Sequence, residues 1–114
     1  MNTSRYQQCI EACQACARAC DECASACLSE EDVGMFAGCI RLDLDCAAVC
    51  RVASSLMARE SSFVTEFCEL CAGVCAACAA ECSNHEAEHC QRCAQACNRC
   101  AQACRDMAAG PAAG

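Results

Sequence analysis

Nineteen cysteines at helical spacing are the feature that most constrains how this 114-residue chain can fold. Within each of four groups, neighbouring cysteines are three or four residues apart, with a single step of seven. That spacing places the cysteines of a group on one stripe of an α-helix, whereas strand alternation would spread them over both faces. The groups are Cys9, Cys13, Cys16, Cys20, Cys23 and Cys27; Cys39, Cys46 and Cys50; Cys68, Cys71, Cys75, Cys78 and Cys82; and Cys90, Cys93, Cys97, Cys100 and Cys104.

The residues between the groups have the composition of helix ends. Ser29 begins a segment with an acid three residues on, Ser61 and Ser62 offer another start, and Ser83 with Glu86 forms a capping box. Short connections make consecutive helices antiparallel neighbours. We therefore predict one all-α domain over residues 1–108, an up-down-up-down four-helix bundle with a cysteine-lined core. Its helices span about 3–28, 31–58, 62–83 and 85–107, and a flexible tail follows at 109–114.

The chemical state of the cysteines depends on the compartment. Dense cysteine in a short secreted chain normally forms disulfides, but the start of this chain lacks the apolar segment of a signal peptide. Cysteines three or four apart on one helix also have Cβ atoms about 5–6 Å apart, too far for an unstrained disulfide. The longest uncharged stretch, 70–80, is too short to span a bilayer. We expect reduced thiols and a cytoplasmic location.

The net charge of the chain argues against some classes of binding partner. The chain has a net charge of −7, with eight basic residues, all arginine. An acidic surface without basic clusters argues against nucleic acid and anionic membranes as partners. No nucleophile, base and acid are grouped in the sequence, so we do not expect an enzyme.

Reduced thiols in this number indicate a soft metal, and charge favours Cu(I). The Cys-rich run typical of iron–sulfur ligation is missing from the sequence. Zinc takes four thiolates per closed site and would leave about −2 buried at each. Cu(I) accepts two or three sulfurs, a thiolate can bridge two ions, and one monovalent ion per thiolate is neutral. We predict a store that binds Cu(I) through all nineteen cysteines, on the order of one ion per cysteine.

Four other residues are candidate accessory ligands. Continuing the cysteine spacing along the second helix reaches Met35 and Asp43. A thioether suits Cu(I), and the carboxylate either ligates or guides an ion, or is a solvated or arginine-paired acid. His85 and His89 are four residues apart, which would place them on one face of a helix. We interpret them either as a metal-binding pair or as surface histidines. Met57 and Met107 could also offer thioethers to Cu(I), but we favour their interpretation as core fillers.

The predicted topology gives the bundle two different ends. What we call the histidine end collects soft and polar ligands: Cys27, Met35, Cys39, Cys82, His85, His89 and Cys90. The opposite end collects Tyr6, Cys9, Met57, Phe63, Phe67, Cys104 and Met107, and we expect its aromatic residues to plug it. Copper is therefore predicted to enter and leave at the histidine end.

Helix two also carries a second apolar stripe, which is a candidate subunit interface. The stripe consists of Val33, Ile40, Leu44 and Val52.

Taken together, these residues resemble the cytosolic branch of the bacterial copper storage proteins over nearly the whole chain. The resemblance is carried by the four cysteine groups, by the segment from Cys39 to Cys50, and by His85-Glu-Ala-Glu-His89-Cys90-Gln-Arg-Cys93. It implies a four-helix bundle, Cu(I) held mainly by cysteine pairs, and a homotetramer. The second helix departs from an even distribution, with only three cysteines.

Two other functions stay open at this stage. One is zinc or general soft-metal buffering, which stoichiometry would distinguish from copper storage. The other is thiol–disulfide redox chemistry, which requires exposed cysteines of low pKa. For a copper store we expect delivery by small thiols or a copper chaperone, and a metal-free form that is already folded.

Overall fold

The computed structural model describes residues 2–109, and their side chains from Tyr6 onward. It contains four α-helices and one short 3₁₀ turn: α1 (Asn2–Leu28), the 3₁₀ turn (Val33–Phe36), α2 (Ala37–Ala58), α3 (Val64–Ser83) and α4 (Glu88–Ala109). Helices α1 and α3 each pack against both α2 and α4, in a bundle about 49 × 20 × 18 Å. The prediction of an all-α antiparallel bundle is confirmed.

Cysteine and alanine build the interior. All nineteen cysteines are buried and unpaired as disulfides. Among the described residues, the other buried hydrophobic side chains are nine alanines together with Phe36, Met57 and Val64. A core so poor in aliphatic side chains buries little apolar surface per residue, and burial of that surface is the main source of stability. Stability alone therefore does not explain a core lined with sulfur.

Helix α2 begins later than the predicted residue 31. The 3₁₀ turn precedes it, and Met35 N–H donates to the Asp32 carbonyl at 3.1 Å. This tighter turn brings Phe36 to 8% exposure under the end of the bundle, next to His85. Pattern alone reads the segment as continuous helix because its residues are compatible with one.

Helix α4 also begins later than predicted, at Glu88, so His85 lies in the preceding loop. The predicted capping box is wrong: Ser83 belongs to α3, and its hydroxyl donates to the Ala80 carbonyl at 2.9 Å. Such back-bonding within a helix competes with capping of the next one. His85 and His89 therefore do not share one helix face, and they have different surroundings.

The connection from α2 to α3 is a Schellman motif. Ser61 N–H donates to the Leu56 carbonyl at 2.9 Å, and Glu60 N–H donates to the Met57 carbonyl at 3.1 Å. Glu60 takes the left-handed position at φ 54° that glycine usually fills. The Ser61 hydroxyl then accepts the Phe63 N–H at 3.0 Å, and α3 begins at Val64 rather than at the predicted residue 62.

The last helix extends slightly beyond its predicted end. Ala109, the first residue of the predicted tail, ends α4, and the rest of the tail lies outside the described residues. Within residues 2–109, no helix combines the length and the apolar character needed to cross a bilayer.

Candidate metal centre

The cysteine sulfurs form a continuous column inside the bundle. Sγ of Cys46 lies 3.3 Å from Sγ of Cys75 on α3 and 3.6 Å from Sγ of Cys16 on α1. Sγ of Cys16 is also 3.6 Å from Sγ of Cys97 on α4. Four helices thus contribute sulfur at one level, because the three- and four-residue steps keep every stripe on the axis.

Neighbouring groups of sulfurs share members. Several sets of four lie with all sulfurs within 4.8 Å of one another: Cys13, Cys71, Cys100 and Cys104; Cys16, Cys46, Cys50 and Cys75; Cys16, Cys20, Cys46 and Cys97; Cys20, Cys78, Cys93 and Cys97; and Cys23, Cys27, Cys39 and Cys90. Cys16 and Cys46 each belong to two of these sets, and so do Cys20 and Cys97. Shared sulfurs suit bridging ligation better than a row of separate closed sites.

The column continues to the end opposite the histidines. There Sγ of Cys9 lies 3.8 Å from Sγ of Cys104. Met57 is fully buried, as expected of a core filler, and its thioether lies 4.0 Å from Sγ of Cys68. The predicted aromatic plug is confirmed only in part: Tyr6 and Phe67 are half-buried against the core, but Phe63 is 64% exposed. The most buried aromatic residue, Phe36, lies at the histidine end. Phe63 precedes α3, in a turn that carries its ring outward.

Asp43 takes a sulfur position in the column. It is fully buried, and its Oδ1 accepts from the thiols of Cys78 and Cys93, both at 3.2 Å. Oδ1 also lies 3.6 Å from Sγ of Cys82, and Oδ2 lies 3.7 Å from Sγ of Cys39. Burial, and then the electrostatic influence of Cys93, raise the pKa of Asp43 to about 8. The alternative of a solvated or arginine-paired acid is therefore wrong.

His89 faces the thiols at the histidine end. Its Nδ1 lies 3.5 Å from Sγ of Cys90, 3.6 Å from Sγ of Cys23 and 3.9 Å from Sγ of Cys27. These three cysteines, with Cys39, form one of the four-sulfur sets. The structure thus places a ring nitrogen next to a set of four sulfurs. The spacing of residues 85–93 predicts this for two histidines, and the structure shows it for His89.

His85 has other partners. Its Nε2 lies 3.0 Å from a carboxylate oxygen of Glu81, and its ring stacks on Phe36 with centroids 4.8 Å apart. Met35 is 63% exposed rather than on the inward stripe, since the 3₁₀ turn changes the helical register before α2. Of the four accessory candidates, Asp43 and His89 contact the sulfur column in this structure.

A narrow cavity leads to these sulfurs from the side. It has a volume of about 70 Å³, lies between α1 and α4, and is lined in part by Cys23, His89 and Cys93. Glu22 and Arg92 stand at its rim. The cavity is large enough for a water molecule or a single ion, and it lies directly beside two of the buried cysteines, Cys23 and Cys93.

Two thiols at the histidine end, those of Cys27 and Cys90, are protonated near neutral pH. Burial, and then the charge of a Cys39 thiolate, raise the pKa of Cys27 to about 11. The pKa of Cys90 is raised by the same two causes in the same order. Each thiol that binds a metal ion as a thiolate must therefore release its proton, so that uptake by these sulfurs depends on pH.

Comparison with known proteins places these features among metal stores. The model of a family described as copper storage protein matches residues 2–109. The Cu(I)-bound copper storage protein BsCsp3 is 48% identical, with a TM-score of 0.88 over 91% of this chain and 98% of that chain. A cytosolic copper storage protein from Streptomyces lividans, solved with five coppers, is 43% identical, with a TM-score of 0.91 over 96% of each chain.

Two proteins from Bacillus subtilis are also similar to this chain. The uncharacterized cysteine-rich protein YhjQ from Bacillus subtilis is 48% identical over 68 residues, which are 60% of this chain. The match spans 63% of that relative's length. The apo form of copper storage protein 3 from the same species is 47% identical, with a TM-score of 0.86 over 91% of this chain and 99% of that chain.

Proposed function

This chain belongs to the copper storage protein family, and we propose that it stores Cu(I) on the thiolates of its core, on the order of one ion per cysteine. The observation that carries the proposal is the continuous column of buried sulfurs with members shared between neighbouring sets. A shared thiolate can bridge two Cu(I) ions, so the column accommodates more ions than separate four-ligand sites would.

Charge supports a monovalent cargo. Burying a column of negatively charged thiolates in a dry interior costs free energy unless a similar number of positive charges is buried with it. One Cu(I) per thiolate meets that condition, whereas closed four-thiolate zinc sites leave a surplus of negative charge. The chain has only eight basic residues, and none of those with described side chains is buried among the sulfurs.

We propose all nineteen cysteines as ligands, with Asp43 and His89 as accessory ligands. Asp43 replaces a sulfur where the second helix skips a cysteine, and a carboxylate there adds one negative charge for a bound cation. His85 is proposed to guide ions rather than to hold them, because its ring contacts Glu81 and Phe36, whereas the ring of His89 faces thiols. Met35 is left out of the ligand set because it is exposed.

Copper uptake and release are proposed to occur at the histidine end. Here His89, the set of four sulfurs and the side cavity lie together. The donor would be a small thiol or a copper chaperone in the cytoplasm, from which Cu(I) passes by thiolate exchange. The incoming ion replaces the thiol protons, which leave to the donor or to water.

We propose a homotetramer as the working assembly. Leu44 and Val52 on the outer face of α2 are 54% and 44% exposed, and Ile40 on the same helix is half-buried. Val33, the fourth residue of the predicted stripe, is half-buried but lies in the 3₁₀ turn before α2. Apolar residues aligned on one helix face favour burial against another subunit. The proposal rests on this stripe and on the family resemblance.

Zinc buffering is the second candidate, because four sulfurs within 4.8 Å of one another also suit a tetrahedral ion. Reduced protein should be loaded anaerobically with excess Cu(I) or excess Zn(II), desalted, and analysed for metal per chain. Copper storage predicts that retained Cu(I) far exceeds retained Zn(II), which closed sites limit to roughly four or five ions. Equal retention of the two metals would favour general soft-metal buffering.

A further inference from the structure

His89 is held from its outer side by an acidic residue of the loop that follows α1. Oε2 of Glu30 lies 2.8 Å from Nε2 of His89, although the two residues are 59 positions apart. We propose that Glu30 is a positioning residue, which fixes the ring and tautomer of His89 so that Nδ1 is the nitrogen offered to Cu(I). This inference rests on the proposed function.

The hydrogen bond determines which nitrogen carries the proton. A carboxylate only accepts hydrogen bonds, so the neutral His89 ring must place its hydrogen on Nε2 to bond Glu30. Nδ1 then keeps its lone pair and is directed at the sulfurs of Cys90 and Cys23, at 3.5 and 3.6 Å. Metal-binding histidines commonly donate their second N–H to a carboxylate in this way.

The surroundings make this bond stronger than an ordinary surface contact. The side chains of His89 and Glu30 are 17% and 35% exposed. Partial burial reduces competition from water and from salt. The bond also ties the loop after α1 to the first turn of α4, so that ring orientation and loop position are set together.

The adjacent residue Glu31 provides a matched control. It has the same charge, lies in the same loop, and is exposed. Removing either acid takes one negative charge from the histidine end, and a general electrostatic effect on an incoming cation would therefore be similar for both. An effect specific to Glu30 must act through its hydrogen bond to His89.

The first test uses the reduced, metal-free protein and reads the tautomer directly. Nitrogen-15 NMR of the imidazole rings should show His89 with its hydrogen on Nε2 in the wild type and in Glu31→Ala. In Glu30→Ala the two tautomers should mix, and Glu30→Gln, whose amide can both accept and donate, should restore the Nε2–H form only in part. An unchanged His89 tautomer in Glu30→Ala would overturn the inference.

The second test follows anaerobic Cu(I) uptake from a small-thiol complex. Loss of a residue that orients a metal-binding histidine typically lowers metal affinity or activity about 10- to 100-fold. We therefore expect Glu30→Ala to take up Cu(I) on the order of tenfold more slowly than Glu31→Ala. If Glu30 acts through His89, adding Glu30→Ala to His89→Ala should slow loading no further. Additive effects in this cycle, or equal rates for the two glutamate variants, would contradict the proposal.

The two proposals fail in distinguishable ways. If the wild type retains few Cu(I) ions at saturation, copper storage itself is wrong. If the wild type fills its core but Glu30→Ala matches Glu31→Ala in rate and tautomer, only the positioning role is wrong. Circular dichroism of each variant checks that the bundle is intact, and final copper capacity should be nearly unchanged in Glu30→Ala because the cysteines remain.

Discussion

Oδ1 of Asp43 lies 3.2 Å from Sγ of Cys93, in the interior of the bundle. A second thiol, that of Cys78, donates to the same oxygen at the same distance. The carboxyl group therefore completes the sulfur column at the level where α2 has no cysteine. Its burial has a direct consequence for the pH dependence of the metal-free protein.

The metal-free protein should lose stability as pH rises, through Asp43. Its pKa is raised from 3.8 to about 8, so the stabilising contribution of the protonated form is complete below 3.8 and is lost as pH rises towards 8. Asp43→Asn keeps the shape but cannot ionise. Denaturant unfolding should find the variant more stable than the wild type by roughly 2–5 kcal/mol at about pH 7.5, and nearly equal at about pH 4.

The control for this prediction is Asp45→Asn, an exposed change on the same helix. Its effect on the free energy of unfolding should be small at both pH values. A stability difference between Asp43→Asn and the wild type that does not change with pH would show that the carboxyl group does not titrate in this range.

The two histidines should differ in their effect on copper uptake. His89 contacts three thiols, whereas His85 is bonded to Glu81 and stacked on Phe36. In stopped-flow measurements of anaerobic Cu(I) loading, His89→Ala should be slower than His85→Ala, and the double variant slowest. Wild-type rates in the double variant would contradict uptake at the histidine end.

Substitution of alanine for Gly38 and for Gly73 should affect the free energy of unfolding differently. A Cβ at Gly38 would lie 3.2 Å from Oε2 of Glu81, whereas a Cβ at Gly73 would meet nothing within 4 Å. Gly73→Ala should therefore raise the free energy of unfolding by about 1 kcal/mol, the usual gain in a helix interior. Gly38→Ala should not, because Glu81 must move and its contact with His85 is disturbed.

Denaturant unfolding of the two variants side by side checks this difference. Equal stabilisation by both substitutions would mean that Glu81 gives way without loss. In that case the contact between Glu81 and His85 contributes little to the geometry of the histidine end.

The apolar stripe on α2 predicts the assembly. Leu44→Glu should convert a tetramer into smaller species, because a charge at a buried subunit contact has no partner. Leu70→Glu, an equally apolar and 51% exposed position on α3, is the matched control and should leave the assembly unchanged. Size-exclusion chromatography with light scattering measures both, and a monomeric wild type would remove the proposed interface.

The bundle could be predicted because a single periodic signal determines it. Nineteen cysteines at helical steps determine which face of each helix is inward, and the aliphatic residues are too few to build a different core. The same periodicity located Asp43 as a position inside the sulfur column. Burial among thiols, however, needed the neighbouring helices, which sequence alone does not place.

The histidine end could be predicted only in part, because its geometry depends on loops. The 3₁₀ turn that buries Phe36 and exposes Met35 differs from a helix by a small change in backbone angles, which composition does not encode. The pairing of Glu30 with His89 joins residues far apart in the chain. Local signals such as the Ser83 capping box were misleading there, since the serine hydroxyl bonds within its own helix.

Native mass spectrometry of the reduced protein during stepwise anaerobic Cu(I) addition counts the ions held by each chain and so tests copper storage itself. We expect a series of copper-bound species that extends well beyond ten ions and approaches one per cysteine, about nineteen in all. A series that ends near four or five ions per chain, the number expected of closed four-thiolate sites, would contradict it.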